Sequence, residues 1–408
     1  MPLGIYISVP FCRSKCSYCN FASGVFSRAV YDNYAERVCA DIRRAETTVC
    51  EMGGVFEPTV DSLYLGGGTP TLLEGEQLRR IFAALRETFA FVPQAEVTVE
   101  CAPGALSPEM LDVLVEAGVN RVSLGVQSLV DQESRAVGRL HTRATTLDDI
   151  RRLRAAGIAN LNIDLIAGLP HQTTESWDFS LTEAIAADPP HVSVYMLEVD
   201  EDSRLGREVL AGGTRYHAHS VPNEELITDL YVQACERLEA AGIQQYEISN
   251  FARPGRESQH NLKYWLRQPY LGFGVEAHSF VPATNTAKQT KADTISNLKF
   301  EIPNSTEESV RFAAADSLDG YLAGTLLVRT PVPVAAAREE CFFLGLRLTR
   351  GVKLSEITRH FGLDPHTGPA ITELRDAGLL VYDRKREVIS LSPKGRLLSN
   401  EVFERFLS

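Results

Sequence analysis

An alternation of predicted strands and helices constrains the fold of this 408-residue chain more than any other feature. Up to about residue 250, short β-branched runs alternate with longer amphipathic stretches. The short runs predict strands at Gly4–Val9, Asp61–Leu65, Glu96–Val99, Arg121–Val126, Asn160–Ile166, His191–Leu197 and Gln245–Ile248. The amphipathic stretches predict helices at Gly75–Phe89, Pro108–Ala117, Thr145–Ala156, Glu175–Ala187 and Asn223–Ala241. This order predicts an α/β fold with a parallel sheet, either a barrel or a doubly wound sheet.

Polar or glycine-rich residues stand just after the first four predicted strands and within the fifth. They are Cys12–Cys19, Gly66–Thr69, Glu100, Gln127 and Asp164. Any one of them is also typical of a turn or a helix cap. In a parallel barrel, however, the carboxyl ends of all strands meet at one mouth, so we expect these residues to converge there. No G-x-G-x-x-G follows a predicted strand, which disfavours a dinucleotide-binding Rossmann domain.

Three clustered cysteines, Cys12, Cys16 and Cys19, have the spacing C-x3-C-x2-C. In a reducing compartment such a cluster more often binds metal than forms a disulfide. A four-iron cluster normally takes four thiolates, so three would leave one iron open for a non-protein ligand. A small chelator with an amine and a carboxylate would suit that iron. The other five cysteines are scattered singly and are interpreted as small buried hydrophobes.

Charge and hydropathy restrict the partners of the chain. The net charge of −12 argues against a general phosphate-binding surface, because non-specific nucleic-acid binding needs clustered Lys and Arg. No apolar run is long enough to span a bilayer, and the first residues lack the pattern of a secretory signal. We therefore expect a cytoplasmic protein with no membrane span and no nucleic-acid partner.

The pattern changes after residue 280 and divides the chain into three parts. Residues 1–280 carry the alternation, and residues 281–333 are rich in Thr, Asn and Ser and predict an irregular connecting segment. Residues 334–408 predict three helices, a hairpin and a final helix, an order similar to a winged helix-turn-helix. Residues 353–408 contain nine basic and eight acidic residues, and this nearly neutral net charge disfavours DNA binding. We interpret this part as a domain that packs against the barrel.

Together the C-x3-C-x2-C spacing, the run Gly66-Gly-Gly-Thr-Pro70 and the run Asp164-Leu-Ile-Ala-Gly-Leu-Pro170 resemble the radical S-adenosylmethionine superfamily. The branch is the one that contains HemN-type coproporphyrinogen dehydrogenases and HemW heme chaperones. The resemblance implies a partial (β/α)6 TIM-like barrel with a [4Fe–4S] cluster at its mouth. It also implies that S-adenosylmethionine binds the open iron, where one-electron reduction would cleave its C–S bond to a 5′-deoxyadenosyl radical.

The same resemblance assigns cofactor contacts residue by residue. The positions that resemble contacts of this S-adenosylmethionine are Tyr6, Gly67 and Glu100. The positions that resemble contacts of a second molecule in the oxidase branch are Tyr18, Gly68, Thr69, Gln127, Arg139 and Asp164. Whether one or two molecules bind is left open.

Two features separate the branches of the family. The oxidases have a fourth cysteine in C-x3-C-x2-C-x-C, and Phe21 stands at that position here. The run from His260 to Trp265 matches the H-N-x-x-Y-W signature of the HemW family. His260 is a candidate heme ligand, and Tyr264 and Trp265 are candidate surfaces against which a porphyrin could stack. The alternative interpretation is a packing and hydrogen-bonding corner of the barrel.

The first functional hypothesis is a heme chaperone without turnover, which passes heme to an unidentified acceptor protein. It would use the cluster, S-adenosylmethionine and heme, with an electron donor if the cluster is reduced. The second is an oxygen-independent coproporphyrinogen III dehydrogenase, an oxidoreductase of porphyrin biosynthesis. A third, a nucleic-acid-modifying radical enzyme, is disfavoured by the acidic balance. Phe21 and the H-N-x-x-Y-W signature favour the first.

Overall fold

Six parallel strands that follow one another along the chain form the frame of the fold. The computed structural model describes residues 1–284, 307–362 and 369–407. The six strands are β1 (Leu3–Val9), β2 (Thr59–Gly67), β3 (Ala90–Cys101), β4 (Arg121–Gln127), β5 (Asn160–Ala167) and β6 (His191–Met196), and they pair in that order. In β1 both faces are covered, which explains why its sequence is an almost continuous apolar run.

Helices cover the outside of these strands. They are α1 (Tyr31–Arg43), α2 (Ala45–Glu51), α3 (Gly75–Thr88), α4 (Pro108–Glu116), α5 (Asp131–Ala136), α6 (Arg143–Ala155), α7 (Thr174–Ala186), α8 (Arg204–Leu210) and α9 (Glu224–Ala240). The five helices predicted from amphipathic stretches match α3, α4, α6, α7 and α9 to within two residues. Trp177 on α7 is fully buried, and its indole N–H donates to the Leu230 carbonyl of α9 at 2.7 Å. The predicted α/β class and partial barrel are confirmed.

The seventh predicted strand, Gln245–Ile248, does not continue the parallel pattern. The chain instead forms two short antiparallel strands, β7 (Gln244–Gln245) and β8 (Asn250–Ala252), with β8 antiparallel to β6. Glu247 causes the reversal, because its buried carboxylate accepts hydrogen bonds from the Ser249 N–H and the Asn250 side-chain amide. These bonds favour a turn where the apolar pattern indicated a strand.

The other edge of the sheet is built by residues after 258. They form α10 (Gln259–Trp265), β9 (Tyr270–Gly274), β10 (His278–Pro282), β11 (Glu307–Ala313), α11 (Leu318–Leu322) and β12 (Val328–Pro333). β9 is parallel to β1, and β10, β11 and β12 continue the sheet as antiparallel neighbours. The described part of the segment 281–333 is therefore more regular than predicted, and residues 285–306 lie outside the description. Within the described residues β12 and β7 are the two edges of one twelve-stranded sheet.

The C-terminal part has its own core. It contains α12 (Val334–Gly345), β13 (Val352–Lys353), α13 (Leu354–Phe361), α14 (Pro369–Asp376), β14 (Leu380–Asp383), β15 (Val388–Leu391), α15 (Pro393–Leu397) and α16 (Ser399–Glu404). The three strands form a small antiparallel sheet in the order β13-β15-β14. The winged-helix-like order predicted from the sequence is confirmed, with β13 added and the final helix divided into α15 and α16.

A buried ion cluster joins the C-terminal part to the barrel. The Arg267 guanidinium lies 2.7 Å from a Glu340 carboxylate oxygen on α12 and 3.0 Å from one of Glu308 on β11. The side chains of Arg267 and Glu340 are 7% and 8% exposed. Arg311 on β11 also contacts the Glu340 carboxylate, at 2.5 Å, so two arginines share this buried charge and the cluster ties α12 to the sheet.

Candidate functional site

One cavity of about 480 Å³ lies at the carboxyl ends of the six parallel strands. Most of the predicted site residues line it, namely Cys12, Cys16, Tyr18, Cys19, Gly67, Gly68, Thr69, Glu100, Gln127, Arg139 and Asp164. Four predicted residues do not line it, namely Tyr6, His260, Tyr264 and Trp265. The predicted convergence of the strand ends is therefore observed, and the predicted heme-binding residues lie elsewhere.

The loop that carries the three cysteines is held from both sides. Before it, Phe11 is buried and stacks on Tyr31 of α1, with ring centroids 3.8 Å apart. Within it, the Ser17 N–H donates to the Val137 carbonyl at 3.1 Å, and the Ser17 carbonyl accepts from the Leu205 N–H at 2.8 Å. The loop is thereby fixed by the segments that follow β4 and β6.

All three thiols of the loop are free and near one another. Cys16 is buried, and Cys12 and Cys19 are half-buried. Burial raises the pKa of the Cys12 thiol, and the neighbouring Cys19 and Cys16 raise it further. In the described residues no three His, Cys, Asp or Glu side chains converge on a point that would hold a single metal ion. Thiolates that each take a different iron of a cube need no such convergence.

Beside the start of the loop, the glycine run lines the cavity wall. Gly67 has φ +98°, a left-handed conformation that strains any residue with a Cβ. A Cβ on Gly68 would lie 2.6 Å from the Phe11 carbonyl oxygen. The Gly68 N–H donates to Val9 and the Thr69 N–H to Phe11, both at 2.7 Å, so the run is fastened to the exit of β1.

Two carboxylates complete the wall, Glu100 at the end of β3 and Asp164 within β5. Glu100 accepts hydrogen bonds from the Tyr64 hydroxyl at 2.8 Å and the Gly67 N–H at 3.1 Å. Burial, followed by the negative charge of Asp164, raises the pKa of Glu100 to about 7. Burial likewise raises the pKa of Asp164, whose oxygens accept from Asn162 at 2.7 Å and Ser123 at 3.1 Å. Both acids therefore face the cavity with a pKa above the ordinary value, and that of Glu100 lies near neutrality.

Two side chains in the wall carry buried polar atoms without a partner. They are Gln127 Oε1 and Arg139 Nε, which bond to nothing among the described residues. The other Arg139 nitrogens donate to the Gly125 carbonyl and to the Cys16 sulfur, the latter at 3.6 Å. Gln127 also has φ +68°, which is rare for a residue other than glycine. Orphaned buried atoms in a strained position fit a wall that is completed by a bound polar molecule.

Sequence reasoning did not find the residues that hold the two carboxylates. Tyr64 lies just before the glycine run and donates to Glu100, and Asn162 and Ser123 hold Asp164. The signal that could have found Asn162 is its spacing. Residues i and i+2 of a strand point to the same face, so Asn162 and Asp164 share the barrel interior.

The H-N-x-x-Y-W segment forms α10, which lies at the opposite ends of the strands. His260 is 1% exposed, and both of its ring nitrogens are engaged. Nδ1 lies 3.1 Å from the Ser62 hydroxyl and Nε2 lies 2.8 Å from the Tyr264 hydroxyl. Burial, with a smaller contribution from Lys263, lowers the pKa of His260 to about 3. In this conformation the imidazole has no nitrogen free for iron, which matches the alternative interpretation of a hydrogen-bonding corner.

The other two candidate heme-binding residues, Tyr264 and Trp265, also pack against neighbouring side chains. The Tyr264 ring packs edge-on against Tyr270, with centroids 4.7 Å apart. The Arg347 guanidinium lies 4.3 Å from the centroid of Trp265, so a cation from the C-terminal part covers that indole. Tyr6, whose ring stacks on His260 at 6.3 Å, lies in the same inner layer. These rings pack the core between the barrel and the C-terminal part.

Comparisons with known proteins agree with this architecture. A model of the radical SAM superfamily matches residues 6–182, and a model of the HemN C-terminal domain matches residues 333–398. The heme chaperone HemW of Bacillus subtilis is 33% identical over 405 residues, 98% of each chain. This chain belongs to the HemW family. The family's Lactococcus lactis member is 32% identical and covers all of this chain and 97% of its own.

The HemW-family chain also shares its fold with a solved structure. The coproporphyrinogen III oxidase (HemN) from Escherichia coli, described as a radical SAM enzyme, superposes with a TM-score of 0.78 at 24% identity. The match covers 99% of this chain and 90% of that one, and it shows the fold alone.

A radical SAM fold implies a [4Fe–4S] cluster and S-adenosylmethionine. Three clustered thiols, the glycine run on the cavity wall and the orphaned Gln127 oxygen fit those groups. No helix in the described part of the chain is long and apolar enough to cross a membrane.

Proposed function

We propose that this protein is a cytoplasmic heme chaperone that binds heme and transfers it to an acceptor protein. In this proposal Cys12, Cys16 and Cys19 each ligate one iron of a [4Fe–4S] cluster. An exchangeable S-adenosylmethionine occupies the fourth iron through its amine and carboxylate. The cofactor pair, when bound, supplies one-electron chemistry, and the chain's own residues orient it and keep water out.

The wall of the cavity supports this assignment of S-adenosylmethionine. Gly67 and Glu100 both line the cavity, and the Glu100 carboxylate is placed to attract the positive charge of the ligand. Tyr18, Gly68, Thr69, Gln127, Arg139 and Asp164 are proposed to line the rest of the cofactor site, and Tyr6 to support it from the layer below. The volume of about 480 Å³ is within the usual range for a small-molecule site.

The single observation that favours a heme chaperone over a coproporphyrinogen dehydrogenase is the exposed phenylalanine at position 21. This residue replaces the fourth cysteine of the oxidase branch, and it lines the cavity with 64% of its surface exposed. Leu140 lines the same rim and is 71% exposed. Exposed apolar side chains at a cavity rim are typical of a surface that meets another molecule. A phenyl ring cannot supply the thiol chemistry of a cysteine.

Two parallel assays on anaerobically reconstituted protein test the proposal. In the first, heme is titrated into the protein and binding is followed by the Soret band. In the second, coproporphyrinogen III is incubated with the protein, S-adenosylmethionine and a reductant, and protoporphyrinogen and CO2 are measured. A Cys12→Ala variant serves as the cluster-deficient control in both.

We expect stoichiometric heme binding and no decarboxylation. Catalytic formation of protoporphyrinogen would refute the chaperone proposal and establish the oxidoreductase alternative. Absence of heme binding would also refute it. The proposal does not place heme on His260, because both nitrogens of that ring are hydrogen-bonded inside the protein.

A further inference from the structure

One histidine in the cavity wall, His141, has no role in the site described above. It lines the cavity beside the exposed Leu140, and only 5% of its own surface is exposed. Its Nε2 lies 3.0 Å from the carbonyl oxygen of Val126, near the end of β4. A buried titratable side chain in the wall of a ligand cavity is a candidate for contact with the ligand.

The bond to Val126 fixes which nitrogen of the ring carries the proton. A carbonyl oxygen can only accept a hydrogen bond, so Nε2 is the protonated nitrogen. In the neutral ring Nδ1 then has a free lone pair. Burial, followed by the positive charge of Arg139, lowers the pKa of His141 to about 4, so the ring is neutral near pH 7.

The lone pair of Nδ1 faces the cavity. Nδ1 has no hydrogen-bond partner anywhere in the described part of the chain, yet it is not one of the fully enclosed atoms there that lack a partner. Since the rest of the ring is enclosed and the residue borders the cavity, the cavity is the open space that Nδ1 reaches. The wall therefore presents one uncharged acceptor to the molecule that fills it.

The part of the wall around His141 is mostly apolar. Residues 102–105, which follow β3, line the cavity on the same side. They are attached to α6, the helix that begins two residues after His141, because the Gly104 N–H donates to Asp149 of α6 at 2.6 Å. The apolar lining on this side consists of Ala102, Pro103, Ala105 and Leu140.

The two halves of S-adenosylmethionine need different surroundings. The methionine half carries a sulfonium, an amine and a carboxylate, which suit iron and the charged side chains of Glu100, Asp164 and Arg139. The adenosyl half is uncharged, with a flat base and two kinds of donor, the 6-amino group and the ribose hydroxyls. Small-molecule sites typically combine an apolar lining with a few placed polar groups. The apolar lining and the single neutral acceptor at His141 therefore fit the adenosyl half.

We propose that His141 is a further ligand-binding residue of the cavity, which accepts at Nδ1 a hydrogen bond from the adenosyl half of S-adenosylmethionine. The bond from Nε2 to Val126 orients the ring for this contact. The inference rests on the proposed function, which places that molecule in the cavity. It adds a residue that selects for the neutral donors of the ligand.

Two amide variants separate the two nitrogens of the ring. His141→Asn places an amide oxygen where Nδ1 stands and removes the donor to Val126. His141→Gln places an amide N–H where Nε2 stands and removes the acceptor at Nδ1. Both side chains are smaller than the ring, so neither needs additional space. If His141 only supports the fold, His141→Gln should be the milder change, whereas a ligand contact makes His141→Asn the milder one.

Calorimetric titration of S-adenosylmethionine into the anaerobically reconstituted full-length protein measures the contact. We expect His141→Asn to bind within about twofold of wild type. His141→Gln should bind about three- to tenfold more weakly, which is the usual effect of one neutral hydrogen bond. His219→Ala is the control, because His219 is exposed and does not line the cavity, and it should bind like wild type.

Two analogues of the ligand identify the donor. One has hydrogen in place of the 6-amino group of the adenine, and the other lacks both ribose hydroxyls. If wild type and His141→Gln bind one analogue equally, the group missing from that analogue is the donor to Nδ1. A disadvantage of His141→Gln that persists with both analogues places the donor outside the adenosyl half and overturns the inference.

The outcomes separate this inference from the proposed function. Wild-type protein that binds no S-adenosylmethionine overturns the cofactor assignment and the inference with it. Wild-type protein that binds it overturns only the contact at His141 if His141→Gln has the same affinity, or if His141→Asn binds more weakly than His141→Gln. The heme titration then still decides the chaperone function. Unchanged iron content and circular dichroism show that each variant is folded and carries its cluster.

Discussion

Binding of S-adenosylmethionine should depend on pH through Glu100. The carboxyl group has a pKa of about 7 because it is buried and lies near Asp164. The proposed ligand carries a positive sulfonium, so only the ionised form of Glu100 attracts it. Affinity should therefore rise as the pH rises through about 7 and fall as the pH falls below it.

The size of the effect follows from proton linkage. When only the ionised form binds well, the apparent dissociation constant scales as one plus ten to the power of the pKa minus the pH. With a pKa of about 7, affinity is reduced about elevenfold at pH 6 and about 1.1-fold at pH 8. The difference of about tenfold corresponds to about 1.4 kcal/mol.

Calorimetric titration of the reconstituted protein between pH 6 and 8 measures this dependence. Glu100→Gln keeps the shape of the side chain and removes its titration. Any pH dependence of affinity that remains in this variant therefore comes from the amine of the ligand. We expect the variant to bind weakly with a shallower pH profile. Equal wild-type affinities at pH 6 and pH 8, or an unchanged profile in the variant, would refute the role assigned to Glu100.

Three further changes test other parts of the structure. Cys12→Ala should lower iron and acid-labile sulfide per chain, while the exposed Cys50→Ala should not, and equal contents would contradict the ligand assignment. Arg267→Met should lower the free energy of unfolding by about 2 kcal/mol in urea titrations, less than the roughly 3–5 kcal/mol of a fully broken buried pair, because Glu340 keeps Arg311 as a partner. A loss below about 1 kcal/mol would show that the ion cluster contributes little. His260→Ala should destabilise the protein by about 2 kcal/mol without altering the heme spectrum, and an altered spectrum would reinstate it as a ligand.

The order of strands and helices could be predicted from the sequence wherever the pattern of apolar residues determines it. The six parallel strands have apolar runs bounded by turns, and both signals are local. The reversal at Glu247 was not readable, because it depends on a buried carboxylate bonding to residues two and three positions later. β13 was missed for a similar reason, since two residues pair only with the distant β15.

The cavity wall was predictable in its position and its residue types, because strand ends must meet in a parallel barrel. The residues that hydrogen-bond to the wall's carboxylates could not be predicted, because Tyr64 and Ser123 are common strand residues and their partners are distant in sequence. The H-N-x-x-Y-W motif gives the residue type at position 260 but not its partners. That residue type suits iron, but tertiary packing engages both nitrogens of His260, and that packing involves Ser62, almost two hundred residues away in the chain.

The position of β1 in the sheet has a consequence for the order of assembly. One neighbour of β1 is β2, but the other is β9, where Gly4 pairs with Tyr270 and Ser8 with Gly274. During synthesis the strand that leads into the cysteine loop therefore remains an open edge until most of the chain has left the ribosome. Contacts of such long sequence separation form slowly. We expect iron and sulfur to be inserted only after β9 has been synthesised and has paired with β1.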